Sequence, residues 1–411
     1  MNRAKILNWK NKTMKLKPII NSLLENDLYK FSMGQCILHQ FPSYETTWEF
    51  KCRNKNIFFT KEMVQEINEQ IDHFCTLRFT EEELDWINFK ILWIKWDYVS
   101  FLRFWHPIRS EISVKESKTA ECGMEIKTKG TWLNTSMYEI PILAIASEVY
   151  SSFTDGTDRI EEFKSQTKKN FEMVNSGAMK IGPFSEFGLR RRYSRETQDW
   201  VVSYLKNYSR GFVGTSNVYL AKKYDLKPVG TMAHEMGMCL LTDNEYNPAY
   251  VNRRLLECWV KEYKTENGIY LTDLLGRDAF LHDFDRVYAK LFDGLRHDSG
   301  DPFVWGDEML DHYKKLGIDP KTKTLLFSDS LDLERAAKIK NYFDGWCKTA
   351  FGIGTFIANP LRKSLNIVMK VSSCNGFPTC KLTDCPEKAI GDPSFIDYVR
   401  RSIEWRFKYE N

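Results

Sequence analysis

The chain has 411 residues, of which 43% are apolar and 28% are charged, a composition typical of a globular protein with material for two or three domains. Lysine and arginine outnumber aspartate and glutamate by only 59 to 55, so the net charge gives no indication of a nucleic-acid partner. No apolar run reaches the roughly 18 residues that a membrane-spanning helix needs. We therefore expect a cytoplasmic protein that neither binds nucleic acid nor enters a membrane.

The first 17 residues are basic, because they contain six lysines and arginines and no acidic residue. A signal peptide would need an apolar segment after such a start, and none is present. We interpret residues 1–17 as a basic N-terminal extension, with Met14 as an alternative initiator. The ten cysteines include no C-x-x-C pair, and the cluster of Cys374, Cys380 and Cys385 has the spacing of no usual zinc site. No metal site is predicted from a direct motif.

Two regions differ in the order of their predicted elements. Residues 18–140 mix strands and helices in a pattern that indicates an α+β domain, with a strand at 46–52, helices at 61–74 and 81–90, and a hairpin within 109–129. Residues 141–375 alternate short apolar strands with amphipathic helices. The predicted strands are 212–217, 228–233, 293–296, 325–328 and 346–351, and the predicted helices are 250–263, 272–280, 305–316 and 333–342. Such alternation predicts parallel strands, in an open sheet or a barrel. The tail, about 376–411, is expected to return to the first domain.

Polar clusters follow several of these strands, which favours a barrel, since barrel sites are built at the carboxyl ends of the strands. One cluster places Arg190, Arg191 and Arg192 after a glycine, where guanidinium groups and free N–H groups could bind an anion. A solvated first turn of a helix would explain the same arginines. A second cluster ends a predicted strand with His234 and Glu235.

The His234 cluster admits a catalytic and a structural interpretation. No H-E-x-x-H motif is present, because position 238 is Met, and no serine or cysteine stands in a nucleophile elbow. His234 is therefore neither a predicted zinc ligand nor a triad base. Phosphorylation on a ring nitrogen is open to it, and so is the role of a hydrogen-bonded core histidine.

Two further clusters could bind a phosphorylated sugar. In 294–301, Asp298 could hold magnesium or ribose hydroxyls and Arg296 could bind a phosphate, although a capped turn is the alternative. In 351–355, glycines leave backbone N–H groups open to a phosphate, although a tight turn explains them equally well. The acidic segment 328–332 precedes this turn by one strand–helix unit. Together the clusters suit phosphoribosyl or phosphoryl transfer with magnesium.

Five motifs, in order along the chain, resemble those of the nicotinate phosphoribosyltransferases: 26–30 (NDLYK), 187–192 (FGLRRR), 230–235 (GTMAHE), 296–300 (RHDSG) and 351–355 (FGIGT). The resemblance extends from about residue 20 to 390. It implies an α/β fold, an irregular and incomplete (β/α) barrel with an N-terminal α+β domain that also receives the C-terminal tail. It also implies a homodimer whose active site is shared between the subunits.

The same resemblance implies roles for individual residues. Phe187 and Tyr29 of the partner subunit would stack on the two faces of a pyridine ring. Arg190 and Arg296 would bind the carboxylate and the phosphates. The remaining expected substrate contacts are Gly352, Gly354 and Thr355 for the 5′-phosphate, Asp298 for the ribose hydroxyls, Lys381 near the phosphates, and Thr215, Ser216 and Asp329.

His234 matches the histidine that this family phosphorylates from ATP. The implied enzyme is ligase-like: it joins nicotinate to the ribose of phosphoribosyl pyrophosphate with hydrolysis of ATP and with Mg²⁺ as cofactor. Ser216 stands where the related nicotinamide enzymes carry an aspartate. A serine hydroxyl can donate a hydrogen bond to nicotinate, whereas an aspartate would repel its carboxylate. One departure from the family is Met236, where a tryptophan often follows the His-Glu pair.

Three other functions stay open on the sequence. Quinolinate phosphoribosyltransferase is a decarboxylating relative that lacks the His-Glu motif. A barrel aldolase or isomerase would need a Schiff-base lysine at a strand end, for which Lys348 is the candidate. A metabolite-binding protein without turnover would leave the convergent polar clusters unexplained.

Overall fold

The computed structural model describes residues 15–156, 158–361, 365–383 and 389–410. The predictions for the extension up to Met14 and for Cys385 lie outside these residues. No helix within the described ranges is both long and apolar enough to cross a membrane.

Fourteen strands form the sheets of the described chain. In chain order they are β1 (Glu45–Cys52), β2 (Ile112–Glu116), β3 (Met124–Thr131), β4 (Phe184–Glu186), β5 (Phe212–Thr215), β6 (Lys227–Pro228), β7 (Ile269–Leu271), β8 (Gly294–His297), β9 (Thr324–Phe327), β10 (Lys348–Ile353), β11 (Ile367–Cys374), β12 (Phe377–Pro378), β13 (Cys380–Lys381) and β14 (Ile390–Gly391).

The largest sheet has seven strands in the order β6-β5-β4-β10-β9-β8-β7, and all six pairings are parallel. The end strands β6 and β7 do not pair with each other in the described chain, so the curled sheet is an incomplete barrel. The predicted fold class is confirmed. Close approach of the backbones matters at Gly294, where an added Cβ would lie 1.9 Å from the carbonyl oxygen of Thr324. Only glycine fits this strand contact.

A second sheet, of order β12-β11-β1-β3-β2, is antiparallel. Strand β11 runs beside β1 from the pair Ile367 and Cys52 to the pair Cys374 and Thr46. The late strand therefore completes the sheet of the N-terminal region, and it does so before the predicted domain border at about 376. The pairing places β1 and β11, which are far apart in sequence, side by side in one sheet.

Seventeen α-helices accompany the sheets in the described residues. They are α1 (Leu28–Gln40), α2 (Lys61–Phe74), α3 (Glu81–Lys90), α4 (Trp96–Phe104), α5 (Trp132–Thr135), α6 (Glu139–Asp155), α7 (Ile160–Asn175), α8 (Arg195–Tyr208), α9 (Val218–Lys223), α10 (Glu235–Leu240), α11 (Val251–Tyr263), α12 (Arg277–Asp283), α13 (Arg286–Leu291), α14 (Pro302–Lys315), α15 (Leu333–Tyr342), α16 (Thr355–Ala358) and α17 (Pro393–Tyr409).

Helix starts follow local sequence signals. The Thr80 hydroxyl accepts a hydrogen bond from Glu83 N–H, and the Glu83 carboxylate accepts one from Thr80 N–H, so a capping box begins α3. Asp301 caps α14, whose first residue is Pro302. The D-S-G-D turn near Asp298 therefore does contain a helix cap, which is the alternative that the sequence analysis gave for residues 294–301.

Two predicted elements are wrong in extent. The predicted strand 228–233 is reduced to β6, because Gly230 has φ 155° and its loop packs close to the backbone N of Tyr29. The predicted helix 272–280 begins only at Arg277, because Gly276 has φ 90° and forms its N-cap. Residues 272–276 are consequently a loop at the carboxyl end of β7.

The last helix, α17, packs on the barrel side. Arg406 in α17 is buried, forms hydrogen bonds of 2.6 and 3.0 Å with the Asp283 carboxylate, and donates to the Ala249 carbonyl at 2.8 Å. Both partners lie within 141–375. The N-terminal sheet thus receives β11 and β12, whereas α17 makes its buried ion pair with the barrel region.

Arg192 is a structural residue in this fold and not part of an open anion-binding cluster. It is 1% exposed, and its guanidinium lies 2.9 Å from Glu25 and 3.3 Å from Glu148 while donating to the Ile19 carbonyl at 2.8 Å. The segment before α1 is thereby fixed to the barrel. The prediction that the guanidinium groups of three successive arginines could bind an anion is wrong for Arg192.

Replacing Arg192 by leucine should lower the free energy of unfolding by about 3–5 kcal/mol, since Glu148 would lose its cation and the buried Glu25 would keep only Arg195. Chemical denaturation measures this change. The control is Arg253→Leu, which removes an exposed pair with Glu257 and should cost less than about 1 kcal/mol. Equal losses in the two variants would contradict the role assigned to Arg192.

Candidate active site

A cavity of about 850 Å³ opens at the carboxyl ends of the parallel strands. One side is formed by the loops that follow β4, β5, β6, β8, β9 and β10. The opposite side is formed by β1, β11 and the chain around β13 and β14. The cavity therefore lies between the incomplete barrel and the antiparallel sheet.

Twelve of the thirteen predicted site residues line this cavity: Tyr29, Phe187, Arg190, Ser216, His234, Arg296, Asp298, Asp329, Gly352, Gly354, Thr355 and Lys381. Thr215 is the exception, because it is fully buried and donates its hydroxyl hydrogen to Glu186 at 2.7 Å. Tyr29 lines the cavity of its own chain, and its expected stacking across a subunit interface stays a prediction. The homodimer itself stays a prediction.

His234 is held by a carboxylate that the sequence analysis did not identify. Its Nε2 lies 2.7 Å from Asp273 Oδ1, while Asp273 Oδ2 accepts hydrogen bonds from Ser299 at 2.7 Å and from Lys381 at 2.8 Å. Burial would raise the pKa of Asp273, but the hydrogen bonds from His234 and Lys381 and the charge of the Lys381 ammonium outweigh it and hold that pKa well below its usual range. Asp273 is therefore an ionised acceptor.

The imidazole of His234 favours the neutral form. Burial and the nearby Lys381 ammonium lower its pKa, and together they outweigh Asp273, which acts in the opposite direction. A neutral ring that donates from Nε2 to Asp273 has its lone pair on Nδ1. That nitrogen lies 3.9 Å from Asp298 at the cavity wall. His234 is thus arranged as a nucleophile with a fixed tautomer.

Asp298 and Arg296 form a looser pair beside this histidine. Arg296 donates to the Met232 carbonyl at 3.0 Å and lies 3.8 Å from Asp298. The Ser328 hydroxyl donates to the same Asp298 oxygen at 3.0 Å. Burial would raise the pKa of Asp298, but Arg296 and His234 outweigh it and lower the pKa. A partly exposed, ionised carboxylate therefore faces the cavity next to the histidine.

Phe187 lies against the glycine turn after β10. A Cβ added to Gly352 would lie 2.4 Å from the Phe187 ring, and one added to Gly354 would lie 3.1 Å from the Phe187 carbonyl oxygen. Glycine at these positions lets the ring pack on the backbone of the turn. Tyr29, at the start of α1, supplies the second aromatic ring of the same cavity.

Cations crowd the side of the cavity nearest the antiparallel sheet. Arg53 and Lys370 come from that sheet, and Arg190 and Arg191 from the loop after β4. Among the described residues, Arg53, Arg190 and Lys370 form no ion pair with a carboxylate. Burial and then neighbouring cations lower the pKa of Arg191 to about 9 and that of Lys370 to about 8. Such a surface lacks an anion, which a phosphorylated ligand would supply.

Comparison with known proteins identifies the family. A model described as the nicotinate phosphoribosyltransferase (NAPRTase) family matches residues 183–406, and one for the N-terminal domain of that family matches residues 24–147. Proteins named nicotinate phosphoribosyltransferase from Cupriavidus necator and Bordetella petrii are 41% and 42% identical to this chain, over 93% and 94% of its length and 98% and 99% of theirs. The chain belongs to the nicotinate phosphoribosyltransferase family.

Solved structures agree with this assignment. The crystal structure of nicotinate phosphoribosyltransferase from Porphyromonas gingivalis has a TM-score of 0.88 and 32% identity, and the match covers 94% of this chain and 100% of that one. The corresponding structure from Vibrio cholerae has a TM-score of 0.87 and 34% identity, with 96% of each chain covered. The barrel and the antiparallel sheet are therefore features of the family fold.

In this member of the family, the Ser216 hydroxyl is already engaged. It donates to Asp27 Oδ1 at 2.6 Å, and burial raises the pKa of Asp27 to about 6. Asp27 itself lines the cavity beside Ser216. Ser216 must exchange its hydrogen-bond partner before it can donate to a ligand carboxylate.

Glu186 fixes the loop that carries Phe187. Its carboxylate accepts hydrogen bonds from Gly188 N–H at 2.6 Å, from the Thr215 hydroxyl at 2.7 Å and from the Gln198 amide. Burial raises the pKa of Glu186 to about 7, although these donors act against the shift. Glu186 therefore positions the ends of β4 and β5, although burial of its carboxylate disfavours the ionised form.

A raised carboxyl pKa gives a defined dependence of stability on pH. The contribution of Glu186 is fully present below the unfolded pKa, near 4.5, and is lost as the pH rises through the folded value of about 7. Glu186→Gln should therefore weaken the fall in unfolding free energy between pH 4.5 and pH 7. Denaturation across this range measures the slope. The exposed Glu196→Gln is the control, and an identical slope in the wild type and Glu186→Gln would refute the assignment.

Proposed function

We propose that this protein transfers the phosphoribosyl group of phosphoribosyl pyrophosphate to nicotinate, and couples the transfer to ATP hydrolysis through phosphorylation of His234. The supporting observation is one shared cavity, in which a neutral histidine, two aromatic rings and several unpaired cations face the same space. The products would be nicotinate mononucleotide, pyrophosphate, ADP and phosphate. This is the first step of NAD salvage from nicotinate.

The aromatic rings suit the pyridine. Phe187 and Tyr29 offer two π faces, each worth about 1 kcal/mol beyond the area that stacking buries. Arg190 carries an unpaired guanidinium in the same cavity and would bind the nicotinate carboxylate, with Ser216 adding a hydrogen bond once it leaves Asp27. The pyridine ring then faces the ribose with an uncharged nitrogen.

The glycine turn and the acidic residues suit the phosphoribosyl group. Gly352 and Gly354 expose backbone that a 5′-phosphate can approach, and Thr355 adds a hydroxyl. The pyridine nitrogen would attack carbon 1 of the ribose as the bond to pyrophosphate breaks, and the electron pair of that bond leaves with pyrophosphate. Asp298 would stabilise the positive charge that develops on the sugar, while Arg296 and Lys381 bind the leaving group.

Magnesium fits two of the carboxylates. The group of His234, Asp273 and Asp298 has ligand atoms within 4.8 Å of one another, but Asp273 already accepts from three donors. Asp298 and Asp329 face the cavity with oxygen ligands, which Mg²⁺ prefers together with substrate phosphates. When bound there, Mg²⁺ would offset part of the pyrophosphate charge.

The phosphorylation step uses the free nitrogen of His234. Its Nδ1 lone pair would take the γ-phosphoryl group of ATP, and ADP would leave with the electron pair of the broken P–O bond. Water would later cleave the P–N bond and release phosphate. Arg53 and Lys370 form no ion pair among the described residues, and Arg191 donates only to uncharged groups, the Ile367 carbonyl and Asn366. We assign all three cations to the triphosphate and pyrophosphate groups.

The aldolase alternative is disfavoured by the position of its lysine. Lys348 is the first residue of β10 and is exposed, whereas the cavity lies at the other end of that strand. A Schiff base at Lys348 would form far from the polar loops that line the cavity. Barrel enzymes use the carboxyl ends of their strands for chemistry.

Product formation tests the proposed function directly. The purified protein should form a mononucleotide from phosphoribosyl pyrophosphate and nicotinate, with ATP stimulating turnover, but not from nicotinamide or quinolinate. His234→Ala should lose the ATP stimulation and the phosphohistidine that mass spectrometry detects after incubation with ATP. The matched control, His312→Ala, alters a histidine that contacts the Phe284 carbonyl outside the cavity. Turnover of quinolinate or nicotinamide alone would exclude the proposed substrate.

Lys370→Met tests the assignment of the cations. Loss of one phosphate contact should raise the KM for ATP or phosphoribosyl pyrophosphate about tenfold or more, because a charge-assisted hydrogen bond contributes about 1.5–3 kcal/mol, and should leave the KM for nicotinate nearly unchanged. Steady-state kinetics with each substrate varied gives these values. Lys127→Met, at an exposed position of β3 in the same sheet, should change the KM of no substrate. A selective rise in the nicotinate KM would overturn the assignment.

A further inference from the structure

Lys30 is a fully enclosed charged side chain beside the cavity. It is 0% exposed, and its ammonium forms ion pairs with Glu235 and, at 2.7 Å, with Glu139. Burial would lower the pKa of Lys30, but the two carboxylates outweigh it and raise the pKa. We call Lys30, Glu139 and Glu235 the Lys30 triad. All three groups are buried, and Lys30 carries its charge throughout the physiological pH range.

Each member of the Lys30 triad begins a helix at the cavity. Lys30 directly follows Tyr29 in the first turn of α1, Glu235 directly follows His234 as the first residue of α10, and Glu139 is the first residue of α6. One ammonium group therefore joins the first turns of three helices. The first turn of α1 contains Tyr29, a predicted substrate contact, and the first turn of α10 directly follows His234, the residue predicted to be phosphorylated.

The partners of the triad leave it little freedom. Glu235 also accepts hydrogen bonds from Trp132 Nε1 at 3.0 Å and from the Ser136 hydroxyl at 2.6 Å. The Lys30 ammonium lies 4.8 Å from the centre of the Trp48 ring. Both carboxylate oxygens of Glu235 are thus occupied, so the ammonium has a single geometry available to it.

Stability alone does not account for this arrangement. The desolvation of a buried ion pair offsets most of its Coulomb attraction, so well-packed apolar side chains would stabilise the fold equally well. What an ion pair adds is a fixed geometry, because its partners must meet at hydrogen-bond distance. The helices that meet here are those that place Tyr29 and His234.

We infer that Lys30 is a positioning residue, which holds the Tyr29 ring at the pyridine subsite and the His234 ring at the phosphorylation subsite through its two carboxylate partners. Lys30 itself does not line the cavity, so it acts through its neighbours and not on a substrate. The inference rests on the proposed function, because Tyr29 and His234 acquire their roles from it.

Lys30→Met tests the inference, since methionine retains most of the length of the side chain and removes its charge. We expect the KM for nicotinate to rise about tenfold or more and the ATP-dependent labelling of His234 to fall by a similar factor, as small misplacements of reacting groups cost up to about 10²-fold. The control is Arg406→Met, which breaks a comparably buried ion pair, with Asp283, away from the cavity. Arg406→Met should lower the midpoint of thermal unfolding without changing the nicotinate KM or the labelling of His234.

A double variant separates positioning from stability. In Lys30→Met with Glu235→Gln, one unpaired buried carboxylate is removed as well, so thermal stability should recover in part while the nicotinate KM and the labelling of His234 stay impaired. Recovery of activity in parallel with stability would overturn the inference.

Should Lys30→Met fail to fold, Ser136→Ala gives the milder test. It removes one donor to Glu235, so it should lower His234 labelling more than it raises the nicotinate KM, and the absence of any change in labelling would count against the inference.

Measurements on the wild-type protein separate a failure of the proposed function from a failure of the positioning role of Lys30. A wild-type protein that forms no mononucleotide and no phosphohistidine would contradict the proposed function. A wild-type protein that performs both reactions, beside a Lys30→Met variant with unchanged nicotinate KM and unchanged labelling, would contradict the positioning role of Lys30 alone.

Discussion

The active cavity depends on the Asp273 carboxylate, which joins three separate parts of the chain. It accepts hydrogen bonds from His234, from Ser299 and from Lys381, so the loops after β6 and β8 and the C-terminal segment meet at one buried charge. Without it, His234 would have no fixed tautomer and Lys381 no partner at this position. An ionised, buried carboxylate with every oxygen engaged is costly to form but rigid, as a preorganised site requires.

The cations of the cavity come from both sides. The barrel loops carry His234, carboxylates and the cations Arg190 and Arg191, and the antiparallel sheet adds Arg53 and Lys370 at the opposite wall. These like charges lie together, and burial and mutual repulsion lower the pKa values of Arg191 and Lys370. Bound phosphates would relieve that repulsion, so part of the affinity for anionic substrates is built into the empty site.

The sequence predicted local elements well where periodicity and caps agree, as in α2, α3 and α15. It failed at 272–276, where an apolar stretch with helical spacing is interrupted by Gly276, and this error hid Asp273. A carboxylate directly after the apolar strand residues 269–271 was the available signal. Arg53 and Lys370 could not be found from the sequence, because their position depends on the long-range pairing of β1 with β11. Burial of Arg192 likewise depends on Glu25, 167 residues earlier.

The two aspartates next to His234 show how one site can contain both rigid and responsive carboxylates. Asp273 is 1% exposed and accepts from three donors, so binding of a ligand cannot change its partners without breaking the site. Asp298 accepts one short hydrogen bond, from Ser328, while Arg296 and His234 lie 3.8 and 3.9 Å away. Its free oxygen positions suit a metal ion or ribose hydroxyls, which arrive only with the substrate. The proposed chemistry, which alternates between a phosphohistidine and a ribosyl transfer, needs both kinds of carboxylate, since the histidine must keep its orientation while the groups facing it change.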